Sequence, residues 1–317
     1  MTVGKSQLVF PVDSEWRGTH FHQVSAGYKM TADKLRPYNL ARSDARAHPR
    51  GVSYQVPAAH RAAAFGLEDP DAVVLGYGAL ALYGLPYLVN SQDILLMKPG
   101  VARNVLATAF TPGLVRRGCR PTEVWTVRHG ERELQVASPP AATIQALKII
   151  RNNAKSGDVC ALPRDVYLGI ELVDCVRRHL GISVGDILAA GAGSIHRPWL
   201  TRVLALSSQY ADSPKETQMR LLAKQVCDEF GVKLCEQVLI TRGDRIVTRL
   251  DLGVPELRIG AMYDGTHHIE TKQYHKDAQI NVELINLDWK VPRFTHQNLH
   301  ELPAVWRSLL EQALGSR

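Results

Sequence analysis

The stretch from Leu250 to His268 reads LDLGVPELRIGAMYDGTHH and narrows the choice of fold more than any other part of the chain. Two short apolar runs, Arg249 to Gly253 and Leu257 to Tyr263, are rich in aliphatic residues, and Val254-Pro255-Glu256 between them is turn-forming. If the runs pair antiparallel through that turn, Asp251 and Asp264 fall at corresponding ends of neighbouring strands. Strands lie close enough for two such carboxylates to reach one Mg²⁺, a cation that takes oxygen ligands. An ion held there would polarise a phosphodiester and lower the pKa of a bound water.

The flanking sequence decides what this hairpin belongs to. Ahead of it, SPKETQMRLLAKQVCDEFG has a capping Ser213, Pro214 in the first turn, Glu216 at the third position and Gly231 as terminator, which predicts a helix. Cys235 to Ile240 and Arg245 to Gly253 predict two strands joined at Arg242-Gly243-Asp244. Beyond the Asp264-Gly265 turn, Ala278, Ile280, Leu284 and Leu287 recur at helical spacing within Thr271 to Leu287. A strand from Trp289 to Phe294 and a last helix from about Gln297 to Leu314 complete an α-β-β-β-α-β-α order.

That order, with an Asp on the second strand and an acidic position on the third, resembles the PD-(D/E)XK (restriction-endonuclease-like) nuclease core. Residues 213–299 are more closely similar to the actinobacterial domain related to very-short-patch-repair endonucleases. Members of that family show a Ser-Pro-x-Glu-Thr helix start, an Asp-Leu-x-x-Pro-Glu-Leu strand pair, a Glu-Tyr-Asp-Gly-x-x-His element and a helix leading into Gly-Trp-x-Val-x-Arg. This chain carries Ser213, Pro214, Glu216 and Thr217, then Asp251, Leu252, Pro255, Glu256 and Leu257. It continues with Tyr263, Asp264, Gly265 and His268, then Asp277, Trp289, Val291 and Arg293. The resemblance implies an endonuclease that hydrolyses phosphodiesters in DNA with Mg²⁺ or Mn²⁺. In it Asp251 and Asp264 bind the metal, His268 is general acid or base, and Glu216 approaches from the helix. Lys272, Lys276 and Arg293 would stand beside phosphates if nucleic acid binds, and are solvated charges otherwise.

Three positions depart from the family pattern. Met262 stands where most relatives have the Glu of Glu-Tyr-Asp-Gly, and a thioether is no ligand for a hard cation. Ile280 occupies a usual Arg, and Asp288 the usual Gly before Trp289. These departures keep a second implication open, a DNA-binding regulator that retains the nuclease fold without turnover. Taken singly, the residues also have plainer roles. Asp-Gly after an apolar run makes a turn, Glu216 is a favourable charge in a helix first turn, and His267 and His268 suit a surface.

The net charge of +7 suits a polyanionic partner, and residues 1–50 hold eight Lys or Arg against four acids. There Ala26-Gly27-Tyr28 reads as a turn and Met30 to Arg36 as a short helix started by Thr31. Ala41 to Val56, with Pro49-Arg50-Gly51 in its middle, reads as a two-stranded wing. Together they predict a degenerate winged helix over 1–56, with Lys34, Arg36, Arg42, Arg46 and Arg50 as phosphate contacts. A solvated basic surface is the alternative.

Residues 51–86, GVSYQVPAAHRAAAFGLEDPDAVVLGYGALALYGLP, resemble the AbiEi antitoxin family of type IV toxin-antitoxin systems, whose members open with a winged helix. The resemblance implies a small α/β domain supporting DNA binding or antitoxin activity, and admits a cognate toxin and a homodimer as partners. Tyr87 to Val136 reads as mixed short strands, and Ser138-Pro139 caps a helix from Ala141 to Ile150. Arg151 to Asp158 is a polar break that reads as a flexible loop. Helices follow at Arg164 to Leu180, Ser183 to Ala190 and His196 to Tyr210. The expected organisation is an α/β chain of the multidomain α+β kind, with a winged-helix-like region at 1–56, an antitoxin-like and helical region at 57–210, and a nuclease-like domain at 211–317.

At 317 residues and 45% hydrophobic content the chain is long enough for two or three cores. No apolar run approaches the length that spans a bilayer, and acids come too early in MTVGKSQLVFPVDSEW for a signal peptide, which points to the cytoplasm. Cys119, Cys160, Cys175, Cys227 and Cys235 are scattered with no C-x-x-C pair, so they read as reduced and structural.

Overall fold

The computed structural model describes residues 2, 8–13, 20–265 and 271–315, the side chains of residues 47 and 271–277 excepted. The chain divides into two compact units, Met1–Gly157 with Pro163–Ser207, and Asp158–Leu162 with Ser208–Arg317. Both mix helices with sheets, so the fold class is α+β.

In the first unit β1 (Phe10–Pro11), β2 (Phe21–Gln23) and β3 (Tyr28–Thr31) form an antiparallel sheet in the order β1-β3-β2. A turn of 3-10 helix at Ala32–Lys34 follows Thr31, and α1 spans Tyr38–Ala47. The wing expected over Ala41 to Val56 is therefore overturned. Tyr38–Ala47 holds Ala41, Ala45 and Ala47 and no β-branched residue, so local propensity favours a helix. It stops at His48 because Pro49 disfavours a helical residue before it. Residues 48–56 contain no strand, and the Tyr54 and Gln55 carbonyls accept hydrogen bonds from Arg36 instead of from a partner strand.

The chain continues through α2 (Ala58–Glu68), β4 (Val73–Leu75), α3 (Gly76–Leu82), β5 (Leu95–Met97), β6 (Gly113–Val115), β7 (Val124–His129) and β8 (Arg132–Ala137). The strands form one sheet in the order β6-β5-β4-β8-β7. Gly66 lets α2 lie against it, since a Cβ there would sit 2.8 Å from Leu134 Cδ2 and 2.9 Å from Val74 Cγ2. Next comes α4 (Pro139–Asn153), which absorbs the first three residues of the expected loop at 151–158, all three exposed. A short ribbon, β9 (Asp158–Val159) with β10 (Leu162–Pro163), precedes α5 (Arg164–Leu180), α6 (Val184–Gly191) and α7 (Arg197–Ala205). The last of these ends well before Tyr210, where the Ser207 hydroxyl donates to the Leu204 carbonyl at 2.8 Å.

The second unit has the predicted order: α8 (Pro214–Glu229), β11 (Cys235–Arg242), β12 (Arg245–Val254), β13 (Ile259–Tyr263), α9 (Thr271–Asn286), β14 (Arg293–Phe294) and α10 (Leu302–Gly315). Its sheet runs β11-β12-β13-β14. The first three strands are antiparallel, with Arg242↔Arg245 closing one hairpin and Leu252↔Ala261 in the other, and β14 is parallel to β13. The strand expected from Trp289 is cut to Arg293–Phe294, because Pro292 has no N–H for the ladder. One core joins Met219, Val226 and Cys227 of α8 and Trp306 and Leu310 of α10 to Leu252, Ala261 and Phe294 of the sheet. A smaller one joins Ile240 and Leu250 to Leu284 of α9. All five cysteines are free thiols, and Cys227 accepts the Trp306 indole N–H at 3.3 Å. Among the described residues no helix is long and apolar enough to cross a membrane.

Candidate functional site

The start of α8 is built by local chemistry. Ser213 lies in extended conformation, and its hydroxyl oxygen accepts the Glu216 N–H at 3.3 Å. Glu216 reaches back in turn, accepting the Asp212 N–H at 2.8 Å and the Ser213 hydroxyl at 3.1 Å. The cap that starts the helix therefore also fixes a carboxylate in space.

That carboxylate stands close to Asp251. Burial is the main force lifting the Glu216 carboxyl to about 7, and the charges of Asp251 and Asp212 add to it against two stabilising hydrogen bonds. Asp251, on β12, accepts the Tyr263 N–H of β13 at 2.7 Å. Its carboxyl is raised chiefly by burial and further by Asp212 and Asp264, while the Tyr263 N–H and Arg293 pull it down. Asp264 follows β13 directly. Its N–H donates to the Phe294 carbonyl at 2.7 Å, and its carboxylate accepts from the Arg293 guanidinium at 3.0 Å.

Four carboxylates, from Asp212, Glu216, Asp251 and Asp264, are thus coupled through Asp251 where the start of α8 meets β12 and the end of β13. Two features of this arrangement had no reading in the sequence. Asp212 precedes the helix cap, and nothing in its neighbourhood signals a partner on β12. Gln237, on β11, has φ +52°, and the β11–β12 ladder passes from Glu236↔Leu252 to Val238↔Leu250 without pairing Gln237 to Asp251. A left-handed non-glycine residue costs energy and is concentrated at functional sites. A crevice of about 10 Å³ is lined by Gln237 together with Asp251, Glu216, Glu236 and Arg220. That is about the space one water needs.

The donor chemistry suits Mg²⁺ or Mn²⁺, since the donors are oxygens and their mutual repulsion is a surplus of negative charge that a divalent cation offsets. Among the described residues no three His, Cys, Asp or Glu side chains gather tightly enough to ligate one ion. Mg²⁺ is commonly held by one or two carboxylates, with water and substrate phosphate in its other positions. Asp251 and Asp264 are the pair that would hold it. Met262 packs against the cluster of Ile240, Leu250 and Leu284. His268 lies outside the described residues, as do the side chains of Lys272 and Lys276.

The expected phosphate contacts of the first unit separate into two groups. Arg42 and Arg46 are exposed on α1, and Lys34 is exposed beside Asp33 at 3.2 Å. Arg36 is taken up by an ion pair with Asp44 and by the Tyr54 carbonyl. Arg50 is taken up by Asp93, at 2.6 Å, and by the Ala107 carbonyl.

Comparison of the chain with protein-family models, with curated proteins and with solved structures finds no match in any of the three.

Proposed function

We propose that this protein acts on DNA, and that its second unit is a divalent-metal-dependent phosphodiesterase of the endonuclease-like kind. The observation that carries the reading is the convergence of Asp251, Asp264 and Glu216 at one locus of an α-β-β-β-α-β-α unit. When bound at Asp251 and Asp264, Mg²⁺ or Mn²⁺ supplies a Lewis acid for the phosphoryl oxygen and acidifies a water. Glu216, whose carboxyl burial raises to about 7, would take a proton from a water entering beside Asp251. Arg293 holds Asp264 in place and adds positive charge where the phosphate would arrive. By resemblance, His268 protonates the leaving oxygen.

Purified protein incubated with supercoiled plasmid and with short duplexes in Mg²⁺ or Mn²⁺ tests this, with Asp251→Ala as control. Nicking or linearisation that disappears in the variant is expected. Cleavage that survives in Asp251→Ala, or that fails with both metals, removes the nuclease reading.

A second reading rests on Met262 and Arg293. Met262 is committed to an apolar cluster, and Arg293 already neutralises Asp264. A DNA-binding regulator that retains this unit without turnover fits both. Its signature is a gel shift on the protein's own upstream DNA that weakens steeply with salt and needs no metal. A cognate toxin and a homodimer belong to this reading.

A further inference from the structure

The first unit contains a cavity of about 660 Å³. Leu95, Met97, Val115, Ile144 and Ile149 make its wall mainly apolar, and Arg116, Arg117 and Lys148 stand around it. An adjoining hollow of about 510 Å³ shares Lys148, Gly193 and Ser194 and adds Arg151 and His196. The volume is that of a site for a small organic ligand.

The polar groups in the wall are already used. Gln145 accepts the Gly76 N–H at 2.7 Å and donates to the Gly118 carbonyl at 2.8 Å, which ties the 116–120 segment to α4. Gly118 suits that position, because a Cβ there would collide with the buried Leu75 side chain. The carboxylate of Glu123 is held by the Arg120 guanidinium at 2.6 Å and by the Arg120 N–H at 2.8 Å. Burial pushes the Cys119 thiol up to about 11, which keeps it neutral. Arg116, Arg117 and Arg151 are exposed and make no ion pair among the described residues. The result is an apolar hollow rimmed by uncommitted positive charge.

We propose that this cavity binds a soluble anionic amphiphile: a compact aromatic or aliphatic body seated on Leu95, Met97, Val115 and Ile149, with a carboxylate, sulfonate or phosphate held by Arg116 and Arg117. A polar body such as a base or sugar is disfavoured, since its donors and acceptors would be buried without partners. The anionic group is favoured because a guanidinium pairs such oxygens through two parallel hydrogen bonds.

Anilinonaphthalene sulfonate titrated into the full chain and followed by fluorescence tests the site. It should bind once and saturably, while phenylnaphthylamine, which lacks the sulfonate, should bind about tenfold more weakly or worse. Arg116→Gln combined with Arg117→Gln should weaken the sulfonate by about tenfold at an unchanged unfolding midpoint. Ala192→Trp, at an exposed lining position, should block the dye. Equal affinity for both dyes, or undiminished binding in either variant, overturns the proposal. Displacement by a short DNA duplex overturns it too, making Arg116 and Arg117 backbone contacts, as does displacement by anionic lipid vesicles.

Discussion

Arg293 on β14 donates to the carboxylate of Asp264 at 3.0 Å, across the parallel pairing that sets Met262 opposite Arg293 and Tyr263 opposite Phe294. The same guanidinium lowers the carboxyl of Asp251 while Asp212 and Asp264 raise it. The Arg293 guanidinium therefore offsets part of the repulsion at Asp251, whose carboxyl stays raised.

Replacing it should show in titration. In Arg293→Met, Asp251 keeps its repulsive neighbours and loses the attractive one, so its carboxyl should titrate at higher pH than in the parent. The acid limb of the metal-dependent cleavage rate should move upward, and where turnover is absent a carbon-detected NMR titration of Asp251 reads the same shift. An Asp251 that titrates unchanged or lower would show that Arg293 acts on Asp264 alone.

Glu216 predicts a pH-dependent stability difference. Its carboxyl is raised to about 7 in the folded chain, against about 4.3 when unfolded. For an acid shifted upward, the stabilisation is fully present below the unfolded value and is lost as pH climbs through the folded one. Glu216→Gln carries no charge and has one side-chain oxygen, so it keeps one of the hydrogen bonds from Asp212 and Ser213 and loses the other equally at every pH. Relative to the parent it should gain roughly 1–2 kcal/mol between about pH 5 and about pH 8, a figure reduced for partial exposure. Denaturant unfolding of both proteins at the two pH values checks this, and parallel behaviour would exclude the shift.

The two groups of N-terminal arginines should respond differently. Arg42→Ala with Arg46→Ala removes two exposed charges from α1, so if this face meets DNA the salt dependence of binding should flatten by about two counterions. Folding should be unaffected. Arg50→Ala loses the contacts to Asp93 and to the Ala107 carbonyl, so its main effect should be a lower unfolding temperature of the first unit. A reversed pattern would reassign these residues.

Trp306, on α10, is fully buried in the core shared with α8 and the sheet, and its indole donates to Cys227. Trp306→Ala should cost about 3–5 kcal/mol in denaturant unfolding of the second unit, and Trp306→Phe clearly less. A loss below about 1 kcal/mol in the alanine variant would mean that this core is not well packed.

The parts that were legible in the sequence share a short range. Ser213, Pro214 and Glu216 encode the start of α8 within four consecutive residues, and Gly243, at φ +59°, forms the hairpin turn between Arg242 and Arg245. The pairing of Leu252 with Ala261 follows from two apolar runs and one turn. The misread segment failed for the same reason. Pro49-Arg50-Gly51 resembles a turn between two strands, yet the alanines of Tyr38–Ala47 and the side chain of Arg36 settle that region as a helix followed by an irregular segment.

By itself, then, the sequence determined the succession of elements around Asp251 and Asp264, because caps, turns and periodicity act over a few residues; the expected strand-end position fails for Asp251, which lies within β12, while Asp264 directly follows β13. Only the tertiary structure decided the company those acids keep. Asp212 just ahead of α8, Glu216 in its first turn and Arg293 from β14 reach them through packing of segments distant in the chain. The same physics decided which N-terminal arginines remain exposed. Arg36 and Arg50 are neutralised by Asp44 and Asp93, while Arg42 and Arg46 stay on the solvent face of α1. An ion pair depends on distance in space, and spacing along the chain does not encode it.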